Sequence, residues 1–106
     1  MDVFEIGQII QEQQQSEKLY LEFLRVPSMS MGLYALPAGC DDPQQPHDED
    51  EVYYIISGQG SIKVGAEDRA VKPGSVVFVA ARVEHFFHSI TEDLKILVFF
   101  APAESP

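Results

Sequence analysis

The segment Gln45-Pro46-His47-Asp48-Glu49-Asp50-Glu51 runs directly into Val52-Tyr53-Tyr54-Ile55-Ile56-Ser57-Gly58. A histidine and several carboxylates therefore lead into an apolar stretch rich in aromatic and β-branched residues, the composition of a strand. Side chains alternate faces along a strand. If the segment is extended, Gln45, His47, Glu49 and Glu51 share one face, and Asp48 and Asp50 take the other. A second β-type stretch, Gly74-Ser75-Val76-Val77-Phe78-Val79, precedes His85. Two imidazoles and one carboxylate brought together would suit a divalent metal and leave coordination positions open. Gln45 could add a neutral oxygen as a fourth ligand. The same residues would serve equally as surface groups of an acidic loop, and periodicity alone does not decide between the two.

Outward from this stretch the pattern is of short strands. Leu19 to Val26 and Met29 to Leu36 end at Pro27 and Pro37, and Cys40 to Pro46 is a polar loop. Glu51–Ser57 and Ser61–Val64 are divided by Gly58-Gln59-Gly60, which reads as a hairpin turn. Arg69–Val71, Ser75–Ala80, His85–Ser89 and Leu94–Phe100 follow, with Thr91-Glu92-Asp93 as a last turn. About eight strands with glycine or proline turns indicate an all-β sandwich or barrel. Ahead of them, Phe4, Ile6, Ile9 and Ile10 have helical spacing, and the glutamine-rich run after them reads as a solvated helix face. The expected organisation is an N-terminal helical segment, residues 1–18, and one barrel domain, residues 19–106.

The chain has 106 residues, enough for one modest core, and its hydrophobic fraction of 45% argues for a folded globule. Seven basic residues against 17 acidic ones give a net charge of −10. That charge repels phosphate backbones and anionic membranes, so neither nucleic acid nor membrane is an expected partner. No apolar run approaches the length of a membrane span, and the first residues lack the pattern of a secretory signal, so a cytoplasmic location is expected. The single cysteine, Cys40, cannot form an internal disulfide.

The spacing of the two segments resembles the two motifs of the cupin family. The first motif reads here as Gly39, five residues, Gln45, one residue, His47, three residues, Glu51, six residues, Gly58. Only its first histidine is replaced, by Gln45. The second reads as Gly74, five residues, Ala80, one residue, Arg82, two residues, His85, three residues, Ser89. Here Ala80, Arg82 and Ser89 stand where the family has proline, glycine and asparagine. The resemblance spans roughly residues 36 to 100.

This resemblance implies an all-β, cupin-type β-barrel (a double-stranded β-helix or jelly roll) with a short N-terminal helix. It also implies a homodimer and one divalent transition metal: Fe2+, Mn2+, Ni2+, Cu2+ or Zn2+. Carried over by position, the ligands are His47, Glu51 and His85, with Gln45 in the fourth place. Tyr53, Ile55 and Phe87 would wall a pocket for a small molecule, or serve as plain core. Arg82 would stand at the barrel mouth, to receive a substrate carboxylate or to pair with a neighbouring acid. Asp41, Asp42, Asp48, Glu49 and Asp50 would form a solvated rim. His88, three residues after His85, would face the other way. The leading functional expectation is a metal-dependent small-molecule enzyme of dioxygenase type. Its rivals are a non-catalytic module that binds or senses a small ligand or metal, and a metal-assisted isomerase or lyase.

Overall fold

The computed structural model describes residues 1–106. One helix, α1 (Ile6–Ser16), precedes six strands: β1 (Tyr20–Val26), β2 (Met29–Leu36), β3 (Asp50–Val64), β4 (Glu67–Val71), β5 (Val76–Val79) and β6 (His85–Ala101). All strand pairs are antiparallel. The hydrogen-bonded order is β1-β2-β6-β3-β4, and β5 pairs with the first half of β3. The sheet curls because β3 and β6 are long enough to change neighbours along their length. The first half of β3 lies between β5 and the end of β6. Its second half lies between β4 and the start of β6.

Two of the expected turns are not turns. Gly58-Gln59-Gly60 lies within β3, and Thr91-Glu92-Asp93 lies within β6, so about eight expected strands become six. The reason is a shared bend. The β3–β6 register shifts between Ile55 and Ser61, and the step from His88 to Glu92 on β6 faces only Ser61 to Gln59 on β3. Extra residues in one strand bend a ladder without ending it. Gly58 has φ +96, and a Cβ there would run into the Asp93 carbonyl oxygen. The glycine is needed for the crossing of two bent strands. Gly58→Ala is expected to cost at least ~2 kcal/mol in urea denaturation. A loss under ~0.5 kcal/mol, the range of a neutral surface change, would contradict this account of the bend.

Alternation along β3 and β6 then fills the interior. Tyr53 and Ile55 on β3, and Phe87, Leu94, Ile96, Val98 and Phe100 on β6, are all buried in one cluster with Leu36 and Val79. Glu51 and His85 fall on the same inward face, and both are buried. The strand pattern that builds the core therefore also carries two polar groups into it. The helix packs outside this layer. Ile9 and Gln13 are buried, and Gln13 donates to the Lys18 carbonyl at 2.8 Å. So the glutamine-rich run is not solvated throughout. Glu17 ends the helix in a left-handed conformation.

Candidate metal centre

Glu51, the second residue of β3, stands between Val79 of β5 and Phe100 of β6. His85 opens β6, opposite Val64. His47 lies before β3 and is held by backbone as well as packing. Its carbonyl accepts the Arg82 N–H at 2.6 Å, and its ring meets Phe100 edge-on at 5.0 Å. One donor atom from each of His47, Glu51 and His85 lies within 4.8 Å of the others, a group able to hold a metal ion.

The polar atoms of this group lack partners. His85 Nδ1 lies 2.8 Å from the Val83 carbonyl oxygen, which can only accept, so Nδ1 carries the proton. In the neutral ring Nε2 is then a lone pair, and it faces a Glu51 oxygen at 3.0 Å. The two side chains are each 1% exposed. Despite that distance the pair lacks hydrogen-bond alignment, and His85 Nε2 and both Glu51 oxygens are buried without a partner. Two acceptors turned toward each other in a dry site need a cation between them, either a proton or a metal. The residues present therefore fit the divalent metal that the family carries.

Without metal, the proton takes that place. Burial alone would lower the His85 imidazole, but the Glu51 carboxylate and the Val83 carbonyl outweigh it and raise its pKa above the ordinary value. A raised histidine contributes stability that is complete below its unfolded pKa, about 6.5, and is lost as pH rises through the folded value. Above that value Glu51 is a buried carboxylate beside a neutral ring. Glu51→Gln is therefore expected to stabilise the metal-free chain by ~1–2 kcal/mol at alkaline pH. The gain should shrink as pH falls and the imidazolium forms. Thermal melts of the metal-stripped pair across pH test this. A variant less stable than the parent at every pH would contradict it.

A hydrogen-bonded bracket surrounds the group. Asp42 accepts from the Tyr34 hydroxyl at 2.6 Å, the Gln44 amide at 2.7 Å and the Phe87 backbone N–H at 2.8 Å. Gln44 Oε1 in turn accepts from the Tyr53 hydroxyl at 2.8 Å and lies 3.3 Å from His47 Nε2. Burial first, then the Asp42 hydrogen bond, hold the Tyr34 hydroxyl well above its ordinary pKa. Burial and the Glu51 charge do the same for Tyr53. Both phenols stay protonated as donors.

The segment after β6 closes the other side. Glu104 N–H donates to Ser30 Oγ, the Glu104 carbonyl accepts from the Arg25 guanidinium, and Ser105 donates twice to Glu49. This brings Glu104 Oε2 to 3.5 Å from His47 Nδ1. Burial first, then the charges of Glu51, Glu49 and Glu22, push the Glu104 carboxyl above its usual range. A cavity of about 240 Å³ opens beside His47 and Glu51. Its walls are Tyr20, Tyr34, Pro43, Gln44, Val98, Phe100 and Glu104.

The expected site residues separate on this geometry. His47, Glu51 and His85 come together. Gln45 is exposed and does not line the cavity, and its neighbour Gln44 is the amide that approaches His47. Alternation fails there because no strand begins before Asp50, and Pro43 and Pro46 cannot join a ladder. Tyr53, Ile55 and Phe87 belong to the core, Tyr53 touching the bracket through its hydroxyl. Arg82 is exposed, outside the cavity, and 3.6 Å from Asp48. His88 faces away and pairs with Asp68 at 2.8 Å.

The rim of five acids needs correction. Asp42 is the half-buried centre of the bracket, and Glu49 is buried. Asp50 is exposed but caps the Ala81 N–H at 2.9 Å. Sequence reasoning also missed Tyr20, Tyr34, Gln44 and Glu104. The first two sit on strands that periodicity did find, while Glu104 comes from a segment with no pattern.

Fold and site together define a small antiparallel β-barrel with a candidate His–Glu–His metal centre inside it. The family model for the cupin domain matches residues 32–100, and the chain belongs to the cupin family. It is 50% identical to an uncharacterized protein of Streptomyces coelicolor over 105 residues, 99% of this chain and 100% of that one. A crystal structure from Bacillus halodurans is similar with a TM-score of 0.82 at 17% identity, over 99% of this chain and 83% of that chain. The DMSP lyase DddQ from Ruegeria pomeroyi is similar with a TM-score of 0.67 at 25% identity. The match to the lyase covers 72% of this chain and 39% of that chain.

Proposed function

We propose that this cupin binds one divalent transition metal through His47, Glu51 and His85 and acts on a small molecule as an enzyme of dioxygenase type. The observation that carries the reading is the set of buried donor atoms without partners, His85 Nε2 and both oxygens of Glu51, beside His47. Two histidines and one carboxylate with open positions suit iron(II) and oxygen chemistry. Bound there, a redox-active metal would supply Lewis acidity and reactivity toward dioxygen.

The chain's own residues do the rest. Val83 fixes the His85 tautomer, and Gln44 and Glu104 flank the His47 ring, so that whichever of them faces the nitrogen the metal leaves free would accept its N–H and orient it. Groups that orient ligands in this way are worth 10–100-fold in metal affinity, roughly. Tyr20, Val98 and Phe100 wall the cavity with apolar surface and limit water.

Oxygen uptake by the iron-loaded protein, assayed with small thiols, diketones and catechols, tests the reaction class. Uptake tied to substrate loss is expected. A filled metal site with no turnover of any of them would count against it, and an unchanged co-purifying ligand would favour a binding module. The likeness to a DMSP lyase at 25% identity supports a second reading, a metal-assisted lyase. Turnover that persists without oxygen would select it. A homodimer remains part of the proposal, because the outer edge of β1 is unpaired. Sedimentation velocity should give twice the chain mass, and a monomer would remove that element.

A further inference from the structure

We propose that the cavity beside His47 and Glu51 takes a small ligand bearing a permanent positive charge, such as a quaternary ammonium group. The inference rests on the reading above only in that this cavity is where the ligand of the metal centre sits. It adds the ligand's chemical class.

Three aromatic side chains meet in the cavity wall. The Tyr20 ring is 6.2 Å from Tyr34 at 74° and 6.4 Å from Phe100 at 83°. All three line the cavity. Edge-to-face pairs at this separation are ordinary aromatic packing, but the cavity they wall offers aromatic surface, and a desolvated cation over a ring face gains most from it. Charge points the same way. The cavity lining includes two carboxylates, Glu51 and Glu104, and neither lysine nor arginine.

A divalent metal among His47, Glu51 and His85 would answer Glu51, while Glu104, whose only close partner is His47 Nδ1 at 3.5 Å, keeps its acidic group in the wall. The Arg25 guanidinium offsets it only through space, without a hydrogen bond to the carboxyl group. Arg25 gives its hydrogen bonds to the Glu104 backbone carbonyl and to Glu22, and its side chain is 50% exposed. A quaternary cation also donates no hydrogen bonds, so the apolar Pro43 and Val98 in the same wall cost it nothing. An anion in the cavity would lie against Glu104, with only the metal and the unpartnered Tyr20 hydroxyl to hold it.

The test uses three probes of one shape. Choline carries the charge, 3,3-dimethylbutan-1-ol is its neutral carbon isostere with the same hydroxyl, and 3,3-dimethylbutanoate is the anion. Metal content is measured first, and each probe is then titrated by calorimetry. Choline is expected to bind roughly tenfold or more tightly than the alcohol, with the anion weakest. In Glu104→Gln, compared at equal metal content, that preference should fall to about threefold or less.

Equal affinity for choline and the alcohol, tighter binding of the anion, or no heat from any probe with the metal site filled would overturn the proposal. The metal reading fails separately. A protein that takes up no metal but still prefers choline would reject the metal centre and leave the cation site standing.

Discussion

With His47 and His85 both replaced by alanine, bound metal is expected to fall from about one equivalent per chain to less than roughly a tenth. Only Glu51 would remain of the donors grouped within 4.8 Å. A single carboxylate does not retain a transition metal through dialysis against a chelator. The double variant also leaves Glu51 without its neighbour in a dry interior, which costs about 3–5 kcal/mol where the charge persists. Circular dichroism must therefore accompany the metal measurement. His47→Ala alone, at a half-buried position, keeps the interior pair and provides the folded control. Elemental analysis that still finds one metal per folded chain would show the ligand set to be wrong.

The second large effect lies outside the ligands. Asp42→Ala is expected to destabilise the chain by about 3 kcal/mol, because it removes one acceptor from three donors at once. The Tyr34 hydroxyl, the Gln44 amide and the Phe87 N–H would all be left unpaired beside the core. At roughly 4–8 °C per kcal/mol for a domain of this size, the melting temperature should drop by about 12–24 °C. Asp42→Asn keeps one acceptor oxygen and should lose less than about half as much. Gln44 would also be released from its place beside His47, so metal affinity in the asparagine variant should fall by about tenfold. A melting temperature within about 3 °C of the parent for Asp42→Ala would contradict the bracket.

Asp42 shows where reading the sequence stops. The barrel was legible from short strands divided by glycine or proline turns, and within each stretch burial follows period two: Glu51, Tyr53 and Ile55 on β3, His85 and Phe87 at the start of β6, and, with the parity changed across the bend, Leu94, Ile96, Val98 and Phe100 at its end. His47, Glu51 and His85 were legible as a set because motif spacing ties one segment to the other. Asp42, Gln44 and Glu104 were not, because each lies in irregular chain where no period says which way a side chain turns. Gln45 was a candidate by its place in the family motif and by assuming strand alternation before Asp50, where no strand is formed.

Arg82 and Ser89, two departures from the family motif, have a common backbone reason. Their φ angles are 66 and 51, in the left-handed region that glycine and asparagine occupy at least cost. The family's choice at those positions is conformational, so substitution there leaves the candidate metal group intact. The hidden strand count has a similar origin. Glycines at 58 and 60 signal a turn in sequence, and in the fold they serve a bend that two long strands share.

The central proposal is a divalent metal held by two imidazoles and one carboxylate inside this barrel. Extended X-ray absorption at the metal edge, on protein loaded with about one equivalent, tests it most directly. The account predicts two imidazole nitrogens, seen by their ring scattering, with oxygen donors completing the shell at about 2.0–2.2 Å for zinc. A shell of oxygen alone, with no histidine scattering, would contradict it.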